Sequence, residues 1–450
     1  MTEELLDWRR AFACAHWAVS RPAEAAAVVA TALADAPPFR NRDYPLSVVP
    51  VFVSVVAAQR LRADLEGYAD LLGSVVRAYR DDPEVRNWYG LGDDAERLIR
   101  ADTRLGDKPW VCRLDGYLDQ AGQQLRVLEN NADAPAGTLF TARVNEVLER
   151  VLAEARVADW KLSDLTYSGA RFFAALMTAA RHAGCAAPTA VAVLQPSGAA
   201  NRESVEMVTA FRAAGVDAYL ADPRELRIVR GRAHFGECVA DLAWNKVNTV
   251  AWRGLQNADF TTRWERALRD TDLVHVNPFG ARFVAENKLS LALVQDPRFA
   301  GHFAQHERAL AARLLPWAGR VTPGALADGG ERPLVVDLLD RPAEYVLKEP
   351  YDIRGDGVTI GYDCSRTQWL AAVERASSHG HLAQQRVRPT SYPVAVAGST
   401  RAEMMPISLD CYLLGGQLAG FGSKASHHAK VNIFQGGQKL AVHVVEEARP

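Results

Sequence analysis

The chain has 450 residues, 48% of them hydrophobic and 24% charged, a composition that supports large buried cores and excludes peptide toxins, collagen and disordered tails. Lys and Arg number 52 against 54 Asp and Glu, a net charge of −2, so no basic field steers the protein onto nucleic acid and dedicated DNA or RNA binding is not expected. Six scattered cysteines without a CxxC pair read as reduced, mostly buried thiols of a cytoplasmic protein.

The N-terminus, MTEELLDWRR, opens on acidic residues, and the longest apolar run, Ser47 to Ala58, is interrupted by Pro50. A membrane span needs about 20 apolar residues, so neither a secretory leader nor a membrane helix is expected. Over the first hundred residues Leu61, Leu65, Tyr68, Leu71, Leu72 and Val75 recur at helical spacing, which predicts a helical packing region over 1–109. At Trp110 the texture changes. WVCRLDGY, a polar turn through Asp119 to Gly122, and QLRVLENN read as two alternating strands of a β-hairpin. A helical stretch, Leu139 to Leu162, completes a segment over 110–165.

From Ala190 a strand (VAVLQ), a turn at Ser197-Gly198, a helix from Arg202 to Ala214 and a strand from Asp217 to Ala221 predict a βαβ unit of a small parallel sheet. A hairpin around Arg230-Gly231-Arg232 and the apolar segment Val239 to Trp252 continue this region, taken as 166–280. Over 281–450 helices alternate with Gly-rich connections and with strands such as Glu344 to Leu347 and Ile407 to Leu414. The whole reads as an α/β (α+β) protein.

Four places carry residues suited to chemistry. In the hairpin, Arg113 and Asp115 share one strand face and Glu129 and Asn131 share a face of the partner strand, because side chains two apart point the same way. If the two faces coincide, they form a hard oxygen set of the kind Mg²⁺ takes; a solvated polar face with ordinary ion pairs is the alternative. The segment YVLK ending in Lys348 runs into a turn with Gly355 and Gly357, whose freed backbone amides can approach phosphate oxygens, although a plain hairpin turn has the same look. Asn277-Pro278 leads to Asn287-Lys288, placing a lysine near the start of an expected helix, where an anion is favoured; a solvated helix lysine is the alternative. Last, Gln385-Arg386-Val387 leave a strand as extended backbone able to read a base edge. They are followed by Asp410 and a Gly-rich stretch through Lys424, Ser426 and Asn432 to Gly436-Gly437, which structural hairpins would explain equally.

Taken in order, Arg113-x-Asp115, Leu-Glu129-x-Asn131-Ala-Asp-x-Pro135, Asn-Pro278, Asn287-Lys288 and Val-Leu-Lys348 with a glycine loop resemble the circularly permuted ATP-grasp ligases. The likeness is to the synthetase domain of glutathionylspermidine synthetase and, more distantly, to eukaryotic glutathione synthetase. It runs from about Trp110 to the C-terminus, and LENNADAPAG is its most specific piece. The resemblance implies that Asp115, Glu129 and Asn131 hold Mg²⁺, two ions in all, on ATP phosphates, with Asp352 where glutathione synthetase has a metal-binding glutamate. It also implies that Arg113 stabilises the transferred phosphoryl group, that Lys288, Lys348, Gly355 and Gly357 hold phosphates, and that Gln385, Arg386, Val387 and Asp410 hold the nucleotide. Glu349 stands where the family usually has proline, and Lys424 where it has an arginine; lysine cannot reproduce the bidentate arginine fork. Arg253, on an expected strand, Lys424 and Ser426 are candidates for the substrate pocket.

The activity implied is an ATP- and Mg²⁺-dependent carboxylate–amine ligase that forms an amide through an acyl phosphate and releases ADP and phosphate, acting on a small amino acid or peptide. A phosphotransferase or a non-catalytic nucleotide-binding protein on the same fold are the alternatives. The partners expected are small-molecule carboxylate and amine substrates, with no nucleic acid or membrane; the oligomeric state, a homodimer included, is left open.

Overall fold

The computed structural model describes residues 4–35, 45–120, 122, 124–157, 160–199, 201–352, 355–395, 400–428, 430–431, 433 and 437–446; Asn432 and Gly436 lie outside them. The predicted hairpin forms as strands Val111–Leu118 and Leu125–Asn131. It belongs to a five-stranded antiparallel sheet in the order Gln438–Leu440, Gln417–Ala425, Leu409–Leu414, Val111–Leu118, Leu125–Asn131. Thus strand Leu409–Leu414 pairs with the hairpin strand Val111–Leu118, more than 270 positions earlier in sequence.

One side of this sheet is sealed by the N-terminal region. Helix Val55–Asp81 has the expected apolar stripe, with Leu65, Tyr68, Leu71, Leu72 and Val75 all buried. Its Tyr68 hydroxyl donates to Asn130 Oδ1 at 3.1 Å, and Glu66 accepts from the Leu418 amide at 3.0 Å. The first hundred residues are not purely helical, however. Strand Val51–Ser54 pairs in parallel with Val442–Val445, because the β-branched and aromatic run VFV is buried on both faces and suits an interior strand better than a helix.

A second sheet has four parallel strands in the order Val274–Val276, Leu242–Asn245, Ala190–Leu194, Asp217–Ala221, with helix Arg202–Ala213 as the right-sized crossover of the predicted βαβ unit. The sequence expectation erred just beyond it. The segment Val239 to Trp252 is only briefly a strand, and Arg253 lies on helix Thr249–Leu255, whose start is capped by the Asn248 side chain accepting from the Ala251 amide at 2.8 Å. A strand reading ignored that N-cap signal. Likewise helix Phe140–Glu154 stops short of Leu162.

A third layer is the four-stranded antiparallel sheet Ala318–Arg320, Leu382–Gln385, Tyr345–Lys348, Val358–Ile360. Helices Leu334–Asp340 and Arg366–His379 cover it through a core that includes Leu338, Tyr345, Trp369 and Val373. Its other face looks onto the cavity described next.

Candidate functional site

Residues of the five-stranded sheet and of the Lys348 sheet line a single cavity of about 550 Å³. The register of the first sheet explains why. Arg113 is directly opposite Asn131, and Asp115 directly opposite Glu129, so the two hairpin faces coincide. On the other side Asp115 is paired with Asp410, Arg113 with Tyr412, and Asp410 with Gly422, while Lys424, two residues on, is paired with Lys439. Directly paired residues point to the same side. One face therefore carries Glu129, Asp115 and Asp410 in a row, with Lys424 and Lys439 two residues along on the same face.

The charges on that row interlock. The Arg113 guanidinium donates to both Asp115 oxygens, at 2.5 and 3.0 Å, and to the Ala136 carbonyl at 2.6 Å. Lys424 sits between Asp115 at 3.2 Å and Asp410 at 3.0 Å, and Asn131 Nδ2 donates to Asp115 at 3.0 Å. Burial opposes the Asp115 charge, but Arg113 and Lys424 outweigh it and hold the carboxyl well below the ordinary range. The second oxygen of Asp410 is buried and has no hydrogen-bond partner.

Lys288 is not the solvated helix lysine that its neighbourhood suggests. It lies in a turn between the π-helical segment Ala281–Ala285 and the short helix Ser290–Leu293, is 2% exposed, and ion-pairs with Glu129 at 3.0 Å and with Asp352. Burial works against its charge, yet Glu129 and Asp352 push its pKa above the usual lysine value. It does not line the cavity but fixes two carboxylates from behind. Lys348, at the end of strand Tyr345–Lys348, does line it. That ammonium donates to the Leu128 carbonyl at 2.8 Å, and burial, helped by Lys288, brings its pKa down to about 8 against the pull of Glu129.

The loop after the hairpin, the distinctive NADAPAG segment, is tied from several directions. Asn277 accepts from the Trp110 and Val111 amides, both at 2.8 Å, and donates to the Val111 and Ala132 carbonyls at 2.7 and 3.0 Å. Glu286 accepts from the Ala132 and Asp133 amides at 2.5 and 3.1 Å. The buried pair Lys246–Glu203, 2.9 Å apart, grips the far end, with Lys246 donating to the Pro135 carbonyl at 2.7 Å and Glu203 accepting from Gly137 and Leu139, each at 3.2 Å. So Asn277, the first residue of the Asn-Pro segment that leads to Lys288, holds the loop.

On the opposite wall Gln385, Arg386, Val387 and Gly355 line the cavity. The Gln385 side chain turns away to donate to Asp328 at 3.2 Å, and the Arg386 guanidinium stacks 4.1 Å from the centre of the Tyr362 ring. Gly355 has φ of +76° and its carbonyl accepts from Lys430 at 3.0 Å. Gly357 does not line the cavity; its amide donates to Asp352 at 3.1 Å, and a Cβ there would meet Asp352 Cβ at 2.8 Å. Ser426 is fully buried, accepting from the His428 amide at 3.1 Å, and Arg253 stacks on Tyr351 at 5.5 Å; neither lines the cavity.

Sequence reasoning missed Lys439. It is 4% exposed, lines the cavity, and donates to Thr141 Oγ1 at 3.1 Å. Its only early signal was the alternation Gln438-Lys439-Leu440 after a glycine pair. The thiols of Cys112 and Cys411 are buried, and burial pushes both pKa values up, so neither is a nucleophile by environment.

No family model matches the chain, and no curated protein is similar to it. Among solved structures, a glutathione synthetase-like effector (GSS30) from Globodera pallida, in its apo form, superposes with a TM-score of 0.62 at 14% sequence identity, covering 96% of this chain and 98% of that one. The chain is thus similar over nearly its whole length to a glutathione synthetase-like structure, and its fold is of that kind.

Proposed function

We propose that the protein is an ATP- and Mg²⁺-dependent carboxylate–amine ligase on a circularly permuted ATP-grasp fold, joining a small amino-acid or peptide acid to an amine with release of ADP and phosphate. The observation that carries the reading is the meeting, in one cavity, of the Glu129–Asp115–Asp410 row with Lys348 and the Gln385–Val387 backbone of the facing sheet. A nucleotide lying between the sheets would place its base against Gln385 to Val387 and its phosphates beside Lys348 and the Gly355 turn.

The donor set fits a metal-bearing polyphosphate. Among the described residues no group of three His, Cys, Asp or Glu side chains is arranged to hold a metal by itself, but Mg²⁺ is usually held by one or two carboxylates together with substrate phosphates and water. The orphaned, buried oxygen of Asp410 is a site such a cation would satisfy. In this reading Asp115, Glu129, Asn131 and Asp352 hold the metal, which when bound neutralises charge on the phosphates. Lys288 fixes the orientation of Glu129 and Asp352. Arg113, pinned to Asp115 and to the Ala136 carbonyl, presents its guanidinium where a transferred phosphoryl group builds charge. Positioning and charge balance supply the catalysis, and no protein nucleophile is needed.

Supplying ATP, Mg²⁺ and panels of carboxylic acids and amines tests the reading. An amide product with ADP and phosphate supports it. AMP with pyrophosphate overturns the acyl-phosphate route, a stable phosphorylated product makes the protein a phosphotransferase, and ADP binding without turnover of any acceptor makes it a nucleotide-binding protein.

A further inference from the structure

The wall that faces the charged row carries a polar group left unsatisfied among the described residues. In the four-stranded antiparallel sheet Ile360 is paired with Val346, and Val346 with Gln384, so these three side chains stand side by side on one face. All three line the cavity. Lys348, two residues on from Val346, shares that face and takes the phosphate end in the ligase reading. Gln384 lies one strand across and two residues along from it, about 8 Å between backbones. Gln384 is 1% exposed, and its Nε2 has no hydrogen-bond partner among the described residues. A buried amide left unpaired costs free energy that an apolar side chain in its place would not, so stability alone does not account for it. Its neighbours in sequence are engaged elsewhere. The Gln385 amide donates to Asp328 at 3.2 Å, and the Arg386 guanidinium lies 4.1 Å from the centre of the Tyr362 ring. Of these three consecutive polar side chains, that of Gln384 is the one left to a ligand.

What this amide awaits follows from the surface around it. A group that rests on Ile360 and Val346 while meeting Gln384 must be apolar on its face and polar at its rim. A phosphate has no apolar face, and a ribose carries hydroxyls around its ring, whereas a heterocyclic base has both properties. The glutamine amide offers donors at Nε2 and an acceptor at Oε1, a pattern that pairs in bidentate fashion with the N7 acceptor and the N6 amino group of adenine. Guanine presents two acceptors, N7 and O6, along the same edge and suits an arginine; the arginine at hand is stacked on Tyr362. We propose that Gln384 reads the N6 and N7 edge of adenine and is the side chain by which this protein selects ATP over GTP. The inference rests on the nucleotide part of the ligase reading and deepens it, because that reading gave the base only to the backbone of Gln385 to Val387.

Calorimetry on the wild-type protein and on Gln384→Met, a variant of similar shape without the amide, tests the assignment. The titrants are the Mg²⁺ complexes of ADP, of GDP and of 7-deaza-ADP, in which a C–H replaces N7. Wild type is expected to bind ADP about tenfold more tightly than either 7-deaza-ADP or GDP, within the range of a bidentate amide–purine pair. In Gln384→Met the ADP affinity should fall to that of 7-deaza-ADP, so that the two bind alike, and the margin over GDP should narrow by a similar factor. Equal binding of ADP and 7-deaza-ADP to wild type overturns the assignment, and this arm does not depend on a variant that folds. A variant that keeps the wild-type ratios overturns it too, whatever its melting temperature, because the amide would then serve the sheet and not the base. Either of these results leaves the ligase reading standing. Absence of binding of all three nucleotides to wild type sinks the ligase reading itself, and the role of Gln384 with it.

Discussion

Four of the lysines in or behind the cavity wall are held in two different ways. Lys288 and Lys424 are each clasped by two carboxylates, Glu129 with Asp352 and Asp115 with Asp410. Among the described residues Lys348 and Lys439 meet only a carbonyl and a hydroxyl, and burial lowers their pKa values to about 8 and about 7. The clasped lysines are frame: they neutralise the carboxylates and orient them, and removing one partner leaves a charge stranded away from water. The unclasped ones are buried cations with unmet donors, an arrangement that costs stability.

That contrast is broken or sharpened by experiment, the largest effect first. Lys246→Met strands Glu203, whose side chain is 3% exposed, and should cost about 3–5 kcal/mol of stability in denaturant titration; Lys246→Met with Glu203→Gln should recover much of it. A single variant as stable as wild type would show that the loop does not depend on this pair. Next, Glu129→Ala or Asn131→Ala should lower kcat about 10²–10³-fold, the size of losing one preorganised electrostatic group, with the circular dichroism spectrum unchanged. Unchanged kcat in a folded variant would remove the metal assignment.

A pH series reads the unclasped class directly. Lys439 has a folded pKa of about 7 against an ordinary 10.5. Between these values the unfolded chain holds a proton that the folded chain lacks, so raising the pH through this window stabilises the fold. The groups facing Lys439, namely Asp410, Lys424, Arg113 and Asp115, remain in Lys439→Met. The melting temperature of the wild type, followed from about pH 7 to about pH 9, should therefore climb more steeply than that of the variant. Parallel curves would mean that the ammonium is not buried as described. The smallest effect is expected at Arg253, which lies outside the cavity lining and stacks on Tyr351. Arg253→Ala should cost about 0.5–1 kcal/mol, the worth of an exposed cation–π contact, and leave KM unchanged; a large rise in KM would return it to the substrate pocket.

Local signals were enough for the hairpin, the βαβ unit and the helix Val55–Asp81, because strand alternation, turn residues and helical spacing all act over a few residues. Arg113, Asp115, Glu129 and Asn131 were singled out for the same reason: their shared faces follow from a period of two. Whether the faces coincide was not legible, since it depends on the register between strands. Lys288 shows the limit from the other side, as its sequence context suits a solvated helix lysine and only packing reveals a buried ion pair. Lys439 was missed because no rule of sequence says that residue 439 lies opposite residue 424 on the wall that holds residue 115.

The amino-acid sequence by itself determined that this is a mixed α/β chain with large cores, reduced thiols, and a set of carboxylates, lysines and glycines suited to a charged small ligand. Tertiary structure alone decided that strands 409–414 and 417–425 continue the hairpin, that Asn277, Glu286 and the Lys246–Glu203 pair hold its loop, and which lysines are clasped and which are left open. The physical reason is range: propensity and periodicity act between neighbours along the chain, whereas the energy of a buried charge is set by whatever partners the fold brings within a few ångströms.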